Sequence, residues 1–600
     1  MCGIVGFVSD RKNEELISSL SNSLKHRGPD KVSYRIVEFN NKYLHLGSAR
    51  LSITGLIDGD MPMVDEYQNA LIYNGEIYEL KKLREQFSLN IESKSDTRHL
   101  FKFLKNYQTK YLPDLNGMFA FCYFDKLNEK IYLARDRFGI KPLFYGHSDD
   151  FDLFFSSEIK PLTKNGMLGN SISENTFNNF ILLGALDQGS NIIDNLKTVP
   201  PGNVVEYKDK TVEIKEYNKH IVDDRNDSGQ SFSEIFKTTL EDQLTAEVPV
   251  NVLLSGGIDS TLISTFASKY SNKSVTAYSL GFENEKYNEQ SKAENISEQL
   301  NIQLKKFVYP SKDNENIIEE ILEILPEPVA DPSIIPTYYL NKKVAEHTKV
   351  VLSGDGADEL FGGYQWYRAG KLTELIPNYA LLGLKKILSI FLNSKNSYIS
   401  LNEKLKIVTS SRNSSTLVKL LFWQNYLPHL SFEERKIFYE RFLIKQGFDN
   451  LNNTELMSQV DIKNYLYTNI LKKSDLASML NSLEVRPVFL DNRIYNFSKT
   501  LKLNDNVNLF NEKKFLKNQL LLEFQNYEIK KKQGFSHDFG GWSDDIAIPY
   551  LKKNWNDLKH INSLLKYLEN SNDNNYLKSR YIWRYYSFLK WIENNRISIN

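Results

Sequence analysis

The sequence predicts an α+β domain, followed by an α/β domain built on a parallel sheet and by a helical C-terminal part. Up to about residue 210, short strand-type runs are separated by turns rich in Gly, Asp and Asn. After about residue 231, buried strands alternate with helices, and from about residue 365 the pattern is nearly all helical. We therefore expect a domain over residues 1–215, a polar linker over 216–230 and a second domain over 231–600.

The first domain combines many short strands with two helices. The helices are expected near residues 14–25 and 96–106, and Pro200-Pro201-Gly202 is expected to open a last hairpin. This mixture indicates an α+β layered arrangement. The strands are expected at residues 4–8, 43–46, 70–73, 118–124, 130–134 and 153–156.

The second domain begins with a regular succession of helices and strands. A helix at 232–244 leads to a buried strand at 248–254, a Gly-rich turn and a helix at 260–270. The alternation predicts a parallel sheet with right-handed crossovers. Further strands are expected at 275–280, 304–309 and 350–352, and an aromatic amphipathic helix at 581–592.

Composition excludes several classes of protein. Lys plus Arg and Asp plus Glu both total 75, so no net basic field would attract nucleic acid. Two cysteines, Cys2 and Cys122, cannot form a disulfide framework or a cysteine zinc site. The sequence shows no signal-peptide pattern and no apolar run that would span a membrane. We expect a soluble cytoplasmic protein with small-molecule substrates and without nucleic-acid or membrane partners, for which a homodimer is an open option.

Cys2 directly follows the initiator methionine, in Met1-Cys2-Gly3-Ile4-Val5-Gly6. Removal of Met1 would give Cys2 a free α-amine beside its thiol. An α-amine titrates near pH 8 (about one unit above neutrality), so it can take the thiol proton and leave a nucleophilic thiolate. Taken alone, Cys2 fits an ordinary buried cysteine near an N-terminal strand better than a nucleophile, because reactive sites are rare.

A loop suited to phosphate follows the strand at 248–254. Its sequence is Ser255-Gly256-Gly257-Ile258-Asp259-Ser260, between a buried strand and a helix. Two glycines let the backbone amides and the helix N-terminus face one anion, and Asp259 offers a hard oxygen ligand for magnesium. The loop lacks the lysine of a Walker A motif, which disfavours transfer of a γ-phosphoryl group.

A second loop, residues 352–364, also follows a buried strand. It contains three acidic residues among four glycines, a composition that suits neither a helix nor a core. Both loops are expected at the carboxyl ends of parallel strands, where open α/β sheets bind ligands. Asp259 and Asp358 could then share one magnesium ion that bridges triphosphate oxygens.

Together these segments resemble the glutamine-dependent asparagine synthetases, in the family's order and over essentially the whole chain. The resemblance implies an N-terminal nucleophile sandwich, with stacked antiparallel sheets between helices, followed by a parallel-sheet ATP pyrophosphatase domain with a helical C-terminal part. The glutaminase motifs are residues 1–6, 26–30, 50–53, 74–78, 95–97, 116–121 and 135–143. The pyrophosphatase motifs are residues 255–260, 353–364, 482–486, 489–491 and 532–535.

In the glutaminase domain, the resemblance implies that Cys2 attacks the side-chain amide of glutamine. Asn74 and Gly75 would form the oxyanion hole, where such donors are each worth about 3 kcal/mol of barrier. Arg50 would hold the glutamine α-carboxylate and Asp96 its α-ammonium group. The remaining glutamine-binding residues would be Leu51, Ile53 and Glu76.

In the second domain, the resemblance implies an ATP site, a magnesium site and an acceptor site. Lys532 would approach the α-phosphate as a catalytic residue. ATP would be bound by Leu254, Ser255, Gly256, Gly257, Asp259, Ser260, Leu280, Gly281, Ser353 and Gly354, with Mg²⁺ on Asp259 and Asp358. The acceptor would be bound by Asp355, Glu484, Arg486 and Asp491, with Glu484 also catalytic.

The implied reaction is ATP-dependent amidation of a carboxylate through an acyl-adenylate, with AMP and pyrophosphate as products. Aspartate, giving asparagine, is the first expected acceptor. The alternative is another carboxylate, such as a uronic acid sugar in surface-polysaccharide biosynthesis, because Pro487-Val488 replaces the family's usual Val-Pro beside the acceptor residues. A non-catalytic homologue is disfavoured because Cys2, Arg50, Asn74, Asp259, Asp358 and Lys532 are all present.

Overall fold

The computed structural model describes residues 1–186, 192–218, 229–283, 290–375, 401–411, 413–525, 527, 541–571 and 573–600. Its strands are β1 (Cys2–Ser9), β2 (Lys31–Phe39), β3 (Lys42–Arg50), β4 (Met63–Val64), β5 (Ala70–Ile77), β6 (Gly117–Asp125), β7 (Lys130–Arg135), β8 (Phe144–Gly146), β9 (Leu153–Ser156), β10 (Ser171–Ile172), β11 (Leu196–Thr198), β12 (Asn203–Lys208), β13 (Thr211–Glu216), β14 (Val250–Leu253), β15 (Thr276–Phe282), β16 (Gln303–Tyr309), β17 (Val350–Ser353), β18 (Glu484–Pro487) and β19 (Ser598–Ile599).

Two antiparallel sheets form the N-terminal part of the described chain. Their strand orders are β11-β8-β9-β1-β3-β2 and β13-β12-β7-β6-β5-β4. Ile4 of β1 shares a buried apolar cluster with Ile72 of β5, so the sheets pack face to face. Val5 and Phe7 point the opposite way and pack on Ile17 of the helix Glu14–Ser23. Because β1 is buried on both faces, its sequence is a continuous apolar run instead of an alternating one.

The α+β sandwich predicted for the first domain is confirmed. Each expected strand lies within a strand of the structure, and Pro200-Pro201-Gly202 precedes the hairpin of β12 and β13. The two expected helices are Glu14–Ser23 and Asp96–Tyr107. The first helix ends two residues earlier than expected. The proposed linker lies largely outside the described residues, because 219–228 are not among them.

A parallel sheet forms the centre of the second domain, as predicted. In the described chain it has the order β16-β15-β14-β17-β18, and every neighbouring pair runs parallel. The chain leaves β14 towards β15 and β16 on one side and returns to β17 on the other. The crevice between β14 and β17 is therefore the point at which the strand order reverses, where open sheets of this kind bind ligands.

Strand β18 is a short exception in the part of the described chain after residue 365, which is otherwise nearly all helical as predicted. Glu484–Pro487 pairs with β17, beginning with the Glu484 N–H, which donates to the Lys349 carbonyl at 2.8 Å. Ser482 adopts a positive φ of 54° just before the strand, which separates it from the preceding helix. Four residues are too short to show a clear period of two, so tertiary pairing decides their conformation.

Helices surround the sheets in both parts of the chain. Within the described ranges, none of them combines the length and the hydropathy of a membrane-spanning helix. In the first domain they are Glu14–Ser23, Leu80–Gln86, Asp96–Tyr107, Lys160–Lys164 and Glu174–Leu183. In the second they include Phe232–Leu244, Ile258–Tyr270, Gln290–Gln299, Asn314–Ile324, Ile334–Ala345, Ala357–Phe361, Gln365–Leu375, Leu401–Ser410, Thr416–Gln424, Phe432–Lys445, Met457–Asp461, Lys472–Met479, Asn492–Ser498, Leu503–Asn506, Lys514–Glu523, Ile548–Asn554, Lys559–Asn570 and Asn575–Asn595, with a π-helix at Ile462–Leu471.

Candidate active sites

Cys2 and Asn74 meet between the two sheets of the first domain. Cys2 is the first residue of β1 and lies opposite Arg50 of β3. Its backbone N–H donates to Oδ1 of Asn74, on β5, at 3.0 Å. The residues are 72 positions apart in sequence, and the face-to-face packing of the sheets brings them together. The structure therefore places the predicted nucleophile beside the predicted oxyanion-hole residue.

The Asn74–Gly75 segment has the features that an oxyanion hole requires. Asn74 Nδ2 is buried and has no hydrogen-bond partner among the described residues, so an amide donor remains available beside Cys2. A Cβ atom at Gly75 would lie 2.0 Å from the Met118 carbonyl oxygen of β6. Only glycine therefore fits at this position without displacing the neighbouring strand.

The predicted glutamine-binding residues surround the same point. Arg50 donates to Asp60 Oδ1 at 2.8 Å and to the Gly55 carbonyl at 2.6 Å. Asp96 accepts from the Tyr73 hydroxyl at 2.8 Å. A glutamine carboxylate that binds Arg50 would therefore have to share this guanidinium with Asp60 or take the place of Asp60. The sequence analysis did not identify Asp60.

The remaining residues predicted for this pocket lie beside the N-terminus. Leu51 donates its N–H to the Met1 carbonyl at 2.7 Å, and Ile53 belongs to the same apolar cluster as Met1. Glu76 is buried, and burial together with the Asp96 carboxylate raises its pKa well above the ordinary value. Arg486, whose Nη2 lies 3.3 Å from Glu76 Oε2, opposes this rise without cancelling it, so Glu76 favours its neutral form here.

In the chain that retains Met1, burial favours the protonated form of the Cys2 thiol. Cys2 is only 5% exposed, and desolvation raises the pKa of its thiol, although the Met1 α-ammonium group and Arg50 oppose the rise. The Met1 α-ammonium group also forms an ion pair with Glu484 Oε2 at 3.3 Å. Removal of Met1 would transfer the free amine to Cys2 itself, next to the thiol that has to lose its proton.

Glu484 and Arg486 lie at the junction of the two domains and do not line the cleft at the carboxyl ends of β14 and β17. Arg486 Nε contacts Glu484 at 2.6 Å, and its Nη2 lies 3.3 Å from Glu76 Oε2 of the glutaminase domain. Both side chains are fully buried. Glu484 pairs with Val350 and Arg486 with Leu352, so both side chains lie on one face of β18, opposite to that of Val485.

Glu484 and Arg486 therefore lie apart from the cleft that Asp355 lines, and their assignment to the acceptor stays a prediction. Asp491 is also engaged at the junction, where it contacts Arg493 at 2.9 Å and Asn116 of the first domain at 2.9 Å. Of the four predicted acceptor residues, Asp355 lines the cleft, and its Oδ2 accepts from Ser353 and Ser474. From β18 it is Val485, on the opposite face of the strand, that reaches the cleft.

A cleft of about 240 Å³ opens at the carboxyl ends of β14 and β17. The pairing of Val252 with Leu352 places loop 255–260 next to loop 353–356. Predicted residues that line the cleft are Leu254, Ser255, Asp259, Ser260, Leu280, Ser353, Gly354, Asp355 and Asp358. Residues that the sequence analysis missed are Tyr278, Asn341, Glu359, Tyr364, Lys473 and Ser474.

Loop 255–260 has the local geometry of an anion-binding turn. Gly256 has a φ of 76°, and Gly257 is the N-cap of the helix Ile258–Tyr270 without a side-chain cap. The Ser255 and Ser260 hydroxyls lie 3.2 Å apart, so two further donors flank the turn. Gly281, the other glycine predicted to contact nucleotide, pairs with Val308 inside the sheet.

Asp259 and Asp358 converge on one cation, Lys513. The Lys513 ammonium nitrogen lies 2.6 Å from Asp259 Oδ2 and 2.6 Å from Asp358 Oδ1. The two carboxylates raise its pKa above the ordinary value, against the opposing effect of burial. Two carboxylates that hold one cation fit the donor set of a magnesium site completed by phosphate oxygens. No group of three His, Cys, Asp or Glu side chains suited to a metal occurs in the part of the chain that is described.

Lys532, the lysine predicted to approach the α-phosphate, lies outside the described residues, as do Gln533, Gly534 and Phe535.

A buried ion cluster links the glutaminase site to the second domain. Arg27 Nη1 contacts Glu158 at 3.0 Å, its Nη2 contacts Asp475 at 2.9 Å and its Nε donates to the Cys2 carbonyl at 3.3 Å. Lys141 approaches Asp475 at 3.4 Å. His26 and the Arg27 guanidinium lower the pKa of Glu158 to about 2 despite its burial. Glu158 is therefore charged, and the cluster ties the strand that carries Cys2 to the second domain.

Comparison with known proteins accords with this architecture. The sequence pattern of the asparagine synthase family matches residues 231–593, and that of the glutamine amidotransferase domain matches residues 1–218. Asparagine synthetase [glutamine-hydrolyzing] 1 of Bacillus subtilis (strain 168) is 30% identical over 530 residues, which are 84% of this chain and 81% of that protein. Putative asparagine synthetase [glutamine-hydrolyzing] 2 of Methanocaldococcus jannaschii is 29% identical, over 80% of this chain and 98% of that protein. The chain therefore belongs to the asparagine synthase family, as a glutamine-dependent amidotransferase whose second domain is an ATP-using synthetase.

Proposed function

We propose that the protein hydrolyses glutamine at Cys2 and uses the ammonia to amidate a carboxylate activated as an acyl-adenylate. The observation that carries this proposal is the convergence of loops 255–260 and 353–356 on one cleft, while Cys2 and Asn74 form a separate site in the other domain. A loop of this kind, without a Walker lysine, suits the retention of pyrophosphate better than transfer of a γ-phosphoryl group.

In the glutaminase site, the Cys2 thiolate attacks the glutamine amide carbon. The α-amine of the processed chain takes the thiol proton and returns it to the departing ammonia, which leaves a thioester for hydrolysis. Asn74 Nδ2 and the Gly75 N–H stabilise the oxyanion, in accord with the unpartnered buried amide of Asn74. Arg50 and Asp96 hold the two charged groups of glutamine.

In the synthetase site, an acceptor carboxylate oxygen attacks the α-phosphorus of ATP, and the bond to the bridging pyrophosphate oxygen breaks. The amides of loop 255–260 and the Ser255 and Ser260 hydroxyls hold the leaving pyrophosphate. Magnesium, held by Asp259 and Asp358, would neutralise the phosphate charge when bound. Lys532 approaches the α-phosphate, and ammonia then displaces AMP from the acyl carbon.

Aspartate is the acceptor that we propose first, since the relatives are named as asparagine synthetases. Asp355 and Lys473 both line the cleft and offer one group of each charge. Asp355 could receive the α-ammonium group of aspartate. Lys473, which contacts Asp331 at 3.0 Å, could receive a carboxylate.

A bulkier carboxylate, such as a uronic acid sugar, is the second candidate, and an adjoining cavity favours it. This cavity of about 360 Å³ shares Asp358 and Tyr364 with the ATP cleft. Arg584 lines it and forms no ion pair with any described carboxylate; burial and the nearby Arg580 cation lower its pKa to about 10. The cavity is also lined by the rings of Trp366, Trp423, Tyr426 and Tyr581. Arg584 donates from Nη1 to the Ile181 carbonyl at 2.9 Å, and this keeps its positive charge at the cavity. Aromatic walls and an arginine without a described carboxylate partner suit an anionic ring more than a small amino acid.

An acceptor screen tests the function and separates the two acceptors. Purified protein with glutamine and Mg-ATP is assayed for pyrophosphate, AMP and amide product, with aspartate or glucuronic and galacturonic acids as acceptor. Aspartate-dependent pyrophosphate release would support the first candidate, and release only with sugar acids the second. ADP and phosphate as products would overturn the acyl-adenylate mechanism.

A further inference from the structure

Lys513 occupies the position between the two carboxylates at which the proposed magnesium ion would bind. Its ammonium group lies 2.6 Å from both Asp259 and Asp358, and its side chain is only 6% exposed. The two aspartates lie in the first turns of different helices, Ile258–Tyr270 after β14 and Ala357–Phe361 after β17, so the lysine joins the two halves of the cleft. Neither family resemblance nor motif spacing singled out this residue.

The backbone around Lys513 is arranged to hold the side chain there. Lys513 has a φ of 51°, immediately before the helix Lys514–Glu523, and its N–H donates to the Gly362 carbonyl at 3.2 Å. A Cβ atom at Gly363 would lie 1.7 Å from Asp358 Oδ1 and 2.1 Å from Lys513 Cε. The contact between Asp358 and Lys513 therefore requires a residue without a Cβ atom at position 363.

A divalent ion and the ammonium group cannot both occupy this position. A magnesium ion held by Asp259 and Asp358 would compete with Lys513 for the same two carboxylates, and the two cations would repel each other at short range. The displaced ammonium group would remain in a nearly buried site without a carboxylate. A buried ammonium group needs an anionic partner. In the proposed function, the phosphate oxygens of the metal-bound nucleotide are the anionic groups that come nearest to Lys513.

We propose that Lys513 is the cation between Asp259 and Asp358 before nucleotide binds, that magnesium replaces it there when Mg-ATP binds, and that Lys513 then contacts the leaving pyrophosphate. This inference rests on the proposed function for the identity of the phosphate ligand. Lys513 is thus a positioning residue before ATP binds, because it keeps two like charges together in a form ready for the metal. After binding it adds a positive charge to the pyrophosphate side of the cleft.

Thermal unfolding with and without magnesium, in the absence of nucleotide, tests the first half of the proposal. Lys513→Met removes the cation, and Lys514→Met, at the exposed next residue, is the matched control. Without metal, Lys513→Met should lower the Tm by roughly 5 °C or more, since it removes the cation that lies between two facing carboxylates. Millimolar magnesium should restore most of that loss, while the wild type and Lys514→Met shift little.

Equal magnesium shifts in all three proteins, or none in Lys513→Met, would overturn the exchange of cations. If Lys513→Met does not fold in metal-free buffer, magnesium during refolding must recover it. Failure to do so, while the double variant Lys513→Met/Asp358→Asn folds, would assign Lys513 a structural role only and refute the proposal.

Pyrophosphate binding tests the second half. Isothermal titration with magnesium and inorganic pyrophosphate should show an affinity at least tenfold weaker for Lys513→Met than for Lys514→Met, with Lys513→Arg in between. Unchanged affinity would refute the contact. Glutaminase activity should be the same in all variants. If the wild-type protein releases no pyrophosphate with any acceptor, the proposed function is refuted. The effect of magnesium on the Tm would still test the role of Lys513 in that case.

Discussion

Asn74 is the side chain that connects the second sheet to the thiol nucleophile, and its replacement by alanine gives the sharpest test of the glutaminase site. The change removes Nδ2, the buried amide donor that has no partner among the described residues, and also Oδ1, which accepts from the Cys2 N–H at 3.0 Å. Loss of one oxyanion-hole donor typically lowers kcat by about 10²- to 10³-fold, or about 3–4 kcal/mol. Loss of the bond to Cys2 adds about 1 kcal/mol of destabilisation at the N-terminal strand.

The assay for Asn74→Ala follows glutamate release with glutamine and pyrophosphate release with ammonium chloride as nitrogen source. We expect the first rate to fall by at least 100-fold, and the second to stay within a factor of about two, because the ATP cleft lies in the other domain. Asn22→Ala, on the exposed face of the helix Glu14–Ser23, is the control. A loss of less than tenfold would show that Nδ2 does not contact the oxyanion. Equal loss of both activities would mean that the substitution damages the fold.

Further predictions concern the nucleophile, the metal ligands and one buried carboxyl group. Cys2→Ala should abolish glutamine-dependent synthesis and spare the ammonia-dependent reaction; loss of both would contradict the separation of the sites. Asp259→Asn and Asp358→Asn should each prevent pyrophosphate formation while glutamate release continues, and pyrophosphate formation at the wild-type rate would exclude them as magnesium ligands. Asp461 is fully buried, and burial raises its folded-state pKa to about 7 from 3.8. Its protonated form is favoured in the folded state, so stability should decline as pH rises from about 4 to about 7, by up to about 4 kcal/mol. Asp461→Asn should flatten that decline in urea unfolding measured at several pH values, and an unchanged pH profile would show that Asp461 is ionised throughout.

The sequence by itself determined the features that depend on short stretches of chain. The continuous apolar run of β1, the Gly-rich turn after β14 and the strand–helix alternation of the second domain are local patterns, and each predicted the observed element. Cys2 and loop 255–260 were identified for the same reason, because thiol chemistry next to an N-terminus and a tight turn before a helix need only adjacent residues.

Tertiary structure alone decided which distant residues meet. Asp475 pairs with Arg27 across 448 positions, and Lys513 reaches Asp259 across 254 positions, so no spacing in the sequence marks either contact. Arg486 was assigned to the acceptor on its charge and its motif, but the register of β18 turns it towards Glu76 at the domain junction. A charged residue near a motif has many potential partners, and only strand order and register, which are set by packing of the whole chain, select the one that it contacts.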